Sequence, residues 1–132
     1  MKPIDLMAKA QKAANSAIIL LEAGDVDGAC GRAYYAMFNA ARAALIAANA
    51  SVAEDMARSH SGLIAAFSLH LVKTGKFPVE LGRSLNKVED LRLIADYKGE
   101  AVELDIATWA VEQAQAFVKA VETGLFPKTG GN

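Results

Sequence analysis

A single cysteine, Cys30, occurs in 132 residues, so no disulfide can form within the chain. It reads as a small buried residue of a protein kept in a reducing compartment. Prolines are also scarce. Pro3, Pro78 and Pro127 are the three, each near the end of a segment, which leaves long stretches open to helix. The longest apolar run, Ala17–Leu21, is far too short to cross a bilayer. The opening MKPIDLMAKAQKAANS lacks the continuous apolar stretch of a secretory leader, so a cytoplasmic protein with no membrane partner is expected. Charge of one sign is missing too. Fourteen basic residues against fifteen acidic ones give a net charge of −1, which excludes a whole-molecule basic field for nucleic acid but leaves room for a local patch.

Several chemistries are absent. There is no GxxxxGK[ST] phosphate loop, no glycine-rich dinucleotide turn and no Gly-x-Ser-x-Gly elbow. His60 and His70 occur without an HExxH pattern or a second cysteine, so neither a metal site nor a cofactor is expected. Ser59 and His60 are adjacent within RSHSG, but adjacent helical residues do not face one another, so no Ser–His pair is implied.

What is present is alanine and helix periodicity. The composition is 53% hydrophobic and 22% charged, which excludes disorder and suits one packed domain. Five helical segments are predicted. The first covers Ile4–Ala23 and stops at Gly24. The second follows an Asp25 N-cap and reaches Ala48. The third covers Arg58–Thr74 and stops at Gly75. The fourth starts on Pro78 and reaches Tyr97, and the fifth covers Glu103–Thr123 before Gly124. Asn49–Met56 reads as a loop. Residues 1–124 form the expected domain, and 125–132 a flexible tail. With no strand period and short connections, the expected fold is all-α: an antiparallel four- or five-helix up-and-down bundle. The second segment is rich in alanine, which permits close approach of helix axes or of subunits.

Polar residues interrupt the apolar stripes at informative places. In the fourth segment Arg92 falls within the stripe Leu81, Leu85, Val88 and Ala95, with Glu89 and Asp96 one turn to either side. A guanidinium there must find partners, because it cannot neutralise. It is either a structural ion pair or a cation held for phosphate. In the third segment His60 shares a face with Leu63, Ile64, Phe67 and Leu71, and imidazole is the natural acid–base group near neutral pH. It is either a satisfied core residue or a catalytic one, while His70 flanks that face and reads as surface or interface. In the second segment Arg32, Tyr35, Asn39 and Arg42 make a polar stripe, which is either a solvated face or a binding surface for RNA or a nucleotide. Tyr34, Met37 and Phe38 point elsewhere and read mostly as core.

Three stretches, GRAYYAMFNAARAAL (Gly31–Leu45), RSHSGLIAAF (Arg58–Phe67) and LRLIADY (Leu91–Tyr97), occur in an order and spacing that resembles HEPN domains, especially their small stand-alone members. The resemblance covers nearly the whole chain. It implies a helical bundle that pairs as a homodimer, acts beside a minimal nucleotidyltransferase, and belongs among toxins of toxin–antitoxin pairs or metal-independent ribonucleases. In the nucleases an Arg is followed, after four to six residues, by a His. Arg92 matches that Arg, but Tyr97 follows at the expected distance and no His does. A tyrosine hydroxyl ordinarily titrates near about 10 and is a poor base at neutral pH.

Three functions follow from this reading. A nucleotide- or RNA-linked interaction role in a toxin–antitoxin-like system ranks first, with a nucleotidyltransferase as partner and Tyr97 as a modification acceptor. A metal-independent ribonuclease ranks second, with Arg92 stabilising charge, His60 moving the proton, Tyr97 as a further catalytic candidate, and Arg32, Tyr35, Asn39 and Asp96 binding. A dimeric scaffold is the third.

Overall fold

The computed structural model describes residues 2–48, 59–97 and 102–125. The expected loop Asn49–Met56 and the tail beyond Leu125 lie outside the described residues. Five helices follow in order: α1 (Pro3–Glu22), α2 (Val26–Ala47), α3 (His60–Phe67), α4 (Val79–Tyr97) and α5 (Leu104–Leu125). No strand occurs among the described residues.

The helix ends follow local chemistry. Pro3 opens α1, and Asp5 in its first turn accepts a hydrogen bond from the Lys2 backbone N–H at 3.2 Å. Gly24 takes φ +86°, the left-handed turn that a side chain resists, and lets the chain reverse. Asp25 then caps α2 by accepting from the Gly28 N–H at 2.9 Å. Ser59 caps α3 in the same way, accepting from the Gly62 N–H at 3.0 Å. The third predicted segment is not uniform. After Phe67 it widens into a π-helical turn over Ser68–Val72, in which the Lys73 N–H bonds to the Ser68 carbonyl at 2.9 Å. Gly75, at φ +83°, ends it.

Gly124 differs from the expectation that it stops the last helix, since α5 runs through it to Leu125. A Cβ at Gly124 would stand 2.9 Å from the Phe77 ring. That glycine makes room for an aromatic ring crossing the helix, so its role is packing and not termination.

Helix α2 is the axis of the domain and packs against each of the other four helices. Its side chains from Ala29 to Leu45 are buried almost all round. Helices α1 and α2 pack on each other, and much of what each buries is alanine: Ala10, Ala13, Ala14 and Ala17 on one, and Ala29, Ala33, Ala36 and Ala40 along one face of the other. Bulk is gathered elsewhere, where Phe67 lies near Phe77 (5.9 Å between centroids) and Phe117 (5.3 Å). These rings join α3, the turn before α4, and α5.

Candidate functional site

The polar interruptions predicted on two helices, His60 and Arg92, meet around one residue of a third, Tyr34. It sits on α2 with only 2% of its surface exposed, and its aromatic ring belongs to the core. A buried phenol still needs a partner for its hydroxyl. The partner is His60 at the start of α3, with Tyr34 Oη 2.9 Å from His60 Nδ1. Behind the phenol, the Arg92 guanidinium of α4 lies over its ring, 5.0 Å from the centroid. Arg92 and His60 therefore converge, but through Tyr34.

Arg92 is satisfied mainly by carboxylates of its own helix. Its Nη2 and Nε donate to Glu89 Oε1 and Oε2 at 2.9 and 3.4 Å, and Nη1 donates to Asp96 Oδ2 at 3.2 Å. The Arg92 and Glu89 side chains are 13% and 10% exposed, whereas Asp96 is 43% exposed, so the first pair is nearly enclosed and the second open to water. One guanidinium faces two carboxylates, a charge balance that does not favour a phosphate. Burial pushes the Tyr34 hydroxyl far above the ordinary tyrosine range, reinforced by the nearby Glu89 carboxylate, against the opposing pull of Arg92. At any working pH Tyr34 keeps its proton. Cys30, one turn earlier on α2, is buried, and its thiol is pushed up to about 11 by that burial and by Asp27 and Asp96.

His60 is the exposed member of the group. Its ring packs on Phe38 (5.1 Å between centroids) as well as on Tyr34 (5.3 Å), so the imidazole is held edge and face. Phe38 is half-buried and carries the Arg42 guanidinium over its other surroundings, 5.9 Å from the ring centroid. Arg42 has no carboxylate within 4 Å among the described residues.

The stripe Arg32, Tyr35, Asn39, Arg42 does not form one surface. Arg32 lies over the exposed Tyr35 ring at 5.1 Å, and this pair is open to solvent. Asn39 is 2% exposed, and its Nδ2 donates back to the Tyr35 carbonyl at 3.1 Å. Arg42 turns toward Phe38 instead. Tyr97 is the last residue of α4, and its side chain lies outside the described residues. His70, expected at the surface or an interface, sits half-buried in the π turn, and its Nε2 is enclosed without a hydrogen-bond partner among the described residues. Sequence reasoning paired Glu89 with Arg92 but missed Tyr34 as a member of the cluster. The available signal was helix spacing, since Tyr34 lies one turn from both Cys30 and Phe38.

Among the described residues no group of three His, Cys, Asp or Glu side chains is placed to hold a metal ion, and no helix is long and apolar enough to cross a membrane. The HEPN domain model matches residues 4–124. A UPF0332 protein of Gloeobacter violaceus is 42% identical over 95 residues, covering 72% of this chain and 71% of its own. A UPF0332 protein of Thermotoga maritima is 35% identical over 117 residues, covering 86% and 83%. A Methanocaldococcus jannaschii protein named as a candidate toxin is 31% identical over 120 residues, covering 91% and 86%. With the helical bundle, the three sequence stretches and a match across almost its full length in agreement, the chain belongs to the HEPN domain family.

Proposed function

We propose that this HEPN protein is toxin-like and directed at RNA, with His60 as the group that meets the substrate. One observation carries the reading: an exposed imidazole is fixed at 2.9 Å by a buried tyrosine and flanked by the Arg42–Phe38 pair. In the reaction, the RNA 2′-oxygen forms a bond to the adjacent phosphorus while its proton passes to His60. The bond from phosphorus to the 5′-oxygen breaks, and the leaving oxygen takes a proton from water. Arg42 meets the phosphate, since Arg92 is already engaged by Glu89 and Asp96. Arg32 and Tyr35 offer a stacking platform for the strand beyond. Arg92 and Asp96 hold the cluster from behind. A homodimer would bring two such surfaces together.

The test is cleavage of a single-stranded RNA in EDTA. Wild type is expected to cleave, His60→Ala to lose about 100-fold or more, and Arg42→Ala to lose about tenfold with a weaker salt dependence. An inactive wild type, or His60→Ala cleaving at the wild-type rate, overturns the nuclease.

A second reading has its own observation. The family's Arg is neutralised by two carboxylates, and Tyr97 stands where a His is expected. On that reading the chain binds a minimal nucleotidyltransferase without cleaving RNA, and Tyr97 accepts a nucleotidyl group. Co-purification with such an enzyme, and a nucleotide-sized mass increase lost in Tyr97→Phe, would establish it.

A further inference from the structure

Helices α4 and α5 both pack on α2 but meet each other only sparingly, and a groove of about 430 Å³ opens between them. Lys87 and Leu91 of α4 form one wall, and Asp105, Ile106 and Trp109 of α5 form the other. Helix spacing makes each wall, since Lys87 lies one turn from Leu91, and Trp109 one turn from both Asp105 and Ile106. Ile106 and Trp109 keep 39% and 36% of their surface exposed, and Leu104, the first residue of α5, keeps 60%. Large apolar side chains gathered in this way mark a contact surface. The charge here is balanced, with a cation on one wall and an anion on the other. Neither makes an ion pair among the described residues, and Asp105 accepts from the adjacent Ile106 N–H at 2.9 Å.

We propose that this groove is the contact face between two copies of the chain, paired about a twofold axis. A twofold contact must be complementary to itself, because each patch meets its own image. This patch carries both halves of each match. Leu104 is a protruding knob at the end of the helix that walls the hole. Lys87 and Asp105 are opposite charges flanking one apolar floor. In the pair, Leu104 of each copy seats in the other's groove, and Lys87 of each meets Asp105 of the other. Ile106 and Trp109 form the dehydrated centre, with the two ion pairs at the rim. RNA fits poorly, because balanced charge offers a phosphate backbone no net attraction. A small ligand would need polar groups converging on it, and here the charges stand on opposite walls. Helix spacing puts Glu89, Arg92 and Asp96 on the side of α4 turned away from Lys87 and Leu91. Pairing at the groove therefore leaves both His60 sites open in one particle. The inference is independent of RNA cleavage.

The experiment is sedimentation velocity of the full chain across a concentration series, without RNA. Wild type is expected to pass from monomer to dimer. Leu104→Asp removes the knob at a position exposed enough to leave the fold intact, and should raise Kd at least about tenfold. Lys87→Glu and Asp105→Lys each set like charges against one another twice per dimer. Each should also raise Kd at least about tenfold, most strongly at low salt. The decisive sample is a mixture of these two variants. A copy bearing Lys87→Glu set against one bearing Asp105→Lys faces an opposite charge at both contacts. The mixture should associate at least about tenfold more tightly than either variant alone. A charge that only shaped its own chain would gain nothing from mixing. Far-UV circular dichroism checks that each variant is folded.

A wild type that stays monomeric at about 1 mM chain, a Leu104→Asp dimer as tight as wild type, or a mixture no tighter than its components overturns the pairing. Growth beyond the dimer overturns it too, because a twofold contact closes on itself. RNA cleavage is a separate readout. A dimer that does not cleave RNA sinks the nuclease alone, and cleavage by a chain that stays monomeric sinks the pairing alone.

Discussion

Helix α2 presents two unlike surfaces, and the contrast explains much of this molecule. Along one face, at Ala29, Ala33, Ala36 and Ala40, it is a seam of buried alanines, where nothing but shape operates and neighbours can approach closely because the side chains are small. Toward α3 and α4 it carries Tyr34, Phe38 and Arg42, which engage an imidazole and, through Arg92, two carboxylates. The seam tolerates polarity badly and volume worse. The cluster tolerates a change of volume better than the loss of one hydrogen-bonding atom, because each polar atom there answers another. Stability is thus concentrated on one side of the helix and chemistry on the other.

The sharpest way to break that contrast is to add volume to the seam. Ala36 is fully buried, and Ala36→Leu adds three carbons to an enclosed position. Overpacking of this kind is expected to cost about 2–3 kcal/mol, read as a lower denaturant midpoint with an unchanged slope. Tyr34, Phe38 and His60 lie elsewhere, so the folded fraction should keep any RNA-directed activity. A midpoint equal to wild type would show that α2 is not closely packed at Ala36.

Next in size is removal of a carboxylate from the cluster. Glu89→Ala leaves the Arg92 guanidinium, 13% exposed, with Asp96 as its remaining carboxylate among the described residues. A fully enclosed pair broken this way loses ~3–5 kcal/mol, and the retained Asp96 brings the expected loss down to about 2 kcal/mol. Glu89→Gln, which preserves shape and accepts one hydrogen bond, is expected to lose about half as much. Equal losses in the two variants would mean that the pair contributes shape and not charge.

Most of the fold was legible, and the reason is local. Gly24 and Gly75 end helices because their backbones are left-handed, Asp25 caps because its side chain reaches the Gly28 N–H, and both signals lie within a few residues of sequence. Gly124 looked the same but was not, since its purpose is set by Phe77, far away in the chain. The π turn at Ser68–Val72 was invisible for a related reason: its apolar spacing fits an ordinary helix nearly as well. Of the site, the Arg92 pairings followed from i+3 and i+4 geometry and are present. Asn39 could not be placed by periodicity, because α2 is covered on nearly every side and an exposed stripe cannot be told from a buried one. Tyr34 was hidden by its own ring, since a tyrosine on an apolar face reads as core until something is found facing its hydroxyl.

Cys30 tests the cluster's interior through pH. An ordinary thiol has half its thiolate near pH 9, whereas one raised to about 11 has only a few parts in a hundred or fewer. Native Cys30 is therefore expected to react with iodoacetamide at pH 9 at least about fiftyfold more slowly than the same thiol in denaturant. Its folded value lies above the unfolded one, so the sign of the linkage is fixed. Its stabilising contribution is complete below about pH 9 and disappears as the pH rises toward 11. Cys30→Ala should flatten the alkaline fall of the denaturant midpoint in that window. Rapid alkylation in the native state would mean that the thiol is not buried as described.

The smallest effect belongs to Asp96, and it sharpens the comparison by dividing the cluster in two. Its bond to Arg92 spans a single helical turn at 3.2 Å, and its side chain is 43% exposed, so water competes for both charges. Exposed pairs of this spacing contribute about 0.3–0.5 kcal/mol. Asp96→Asn should cost no more, and the cost should fade in 1 M salt, where screening acts within a few ångströms. The Glu89→Ala deficit, by contrast, should survive that salt, because its pair is enclosed. If salt erased both losses alike, Glu89 would be solvated in the same way as Asp96, and the cluster would be an ordinary surface network and not a buried support for Tyr34.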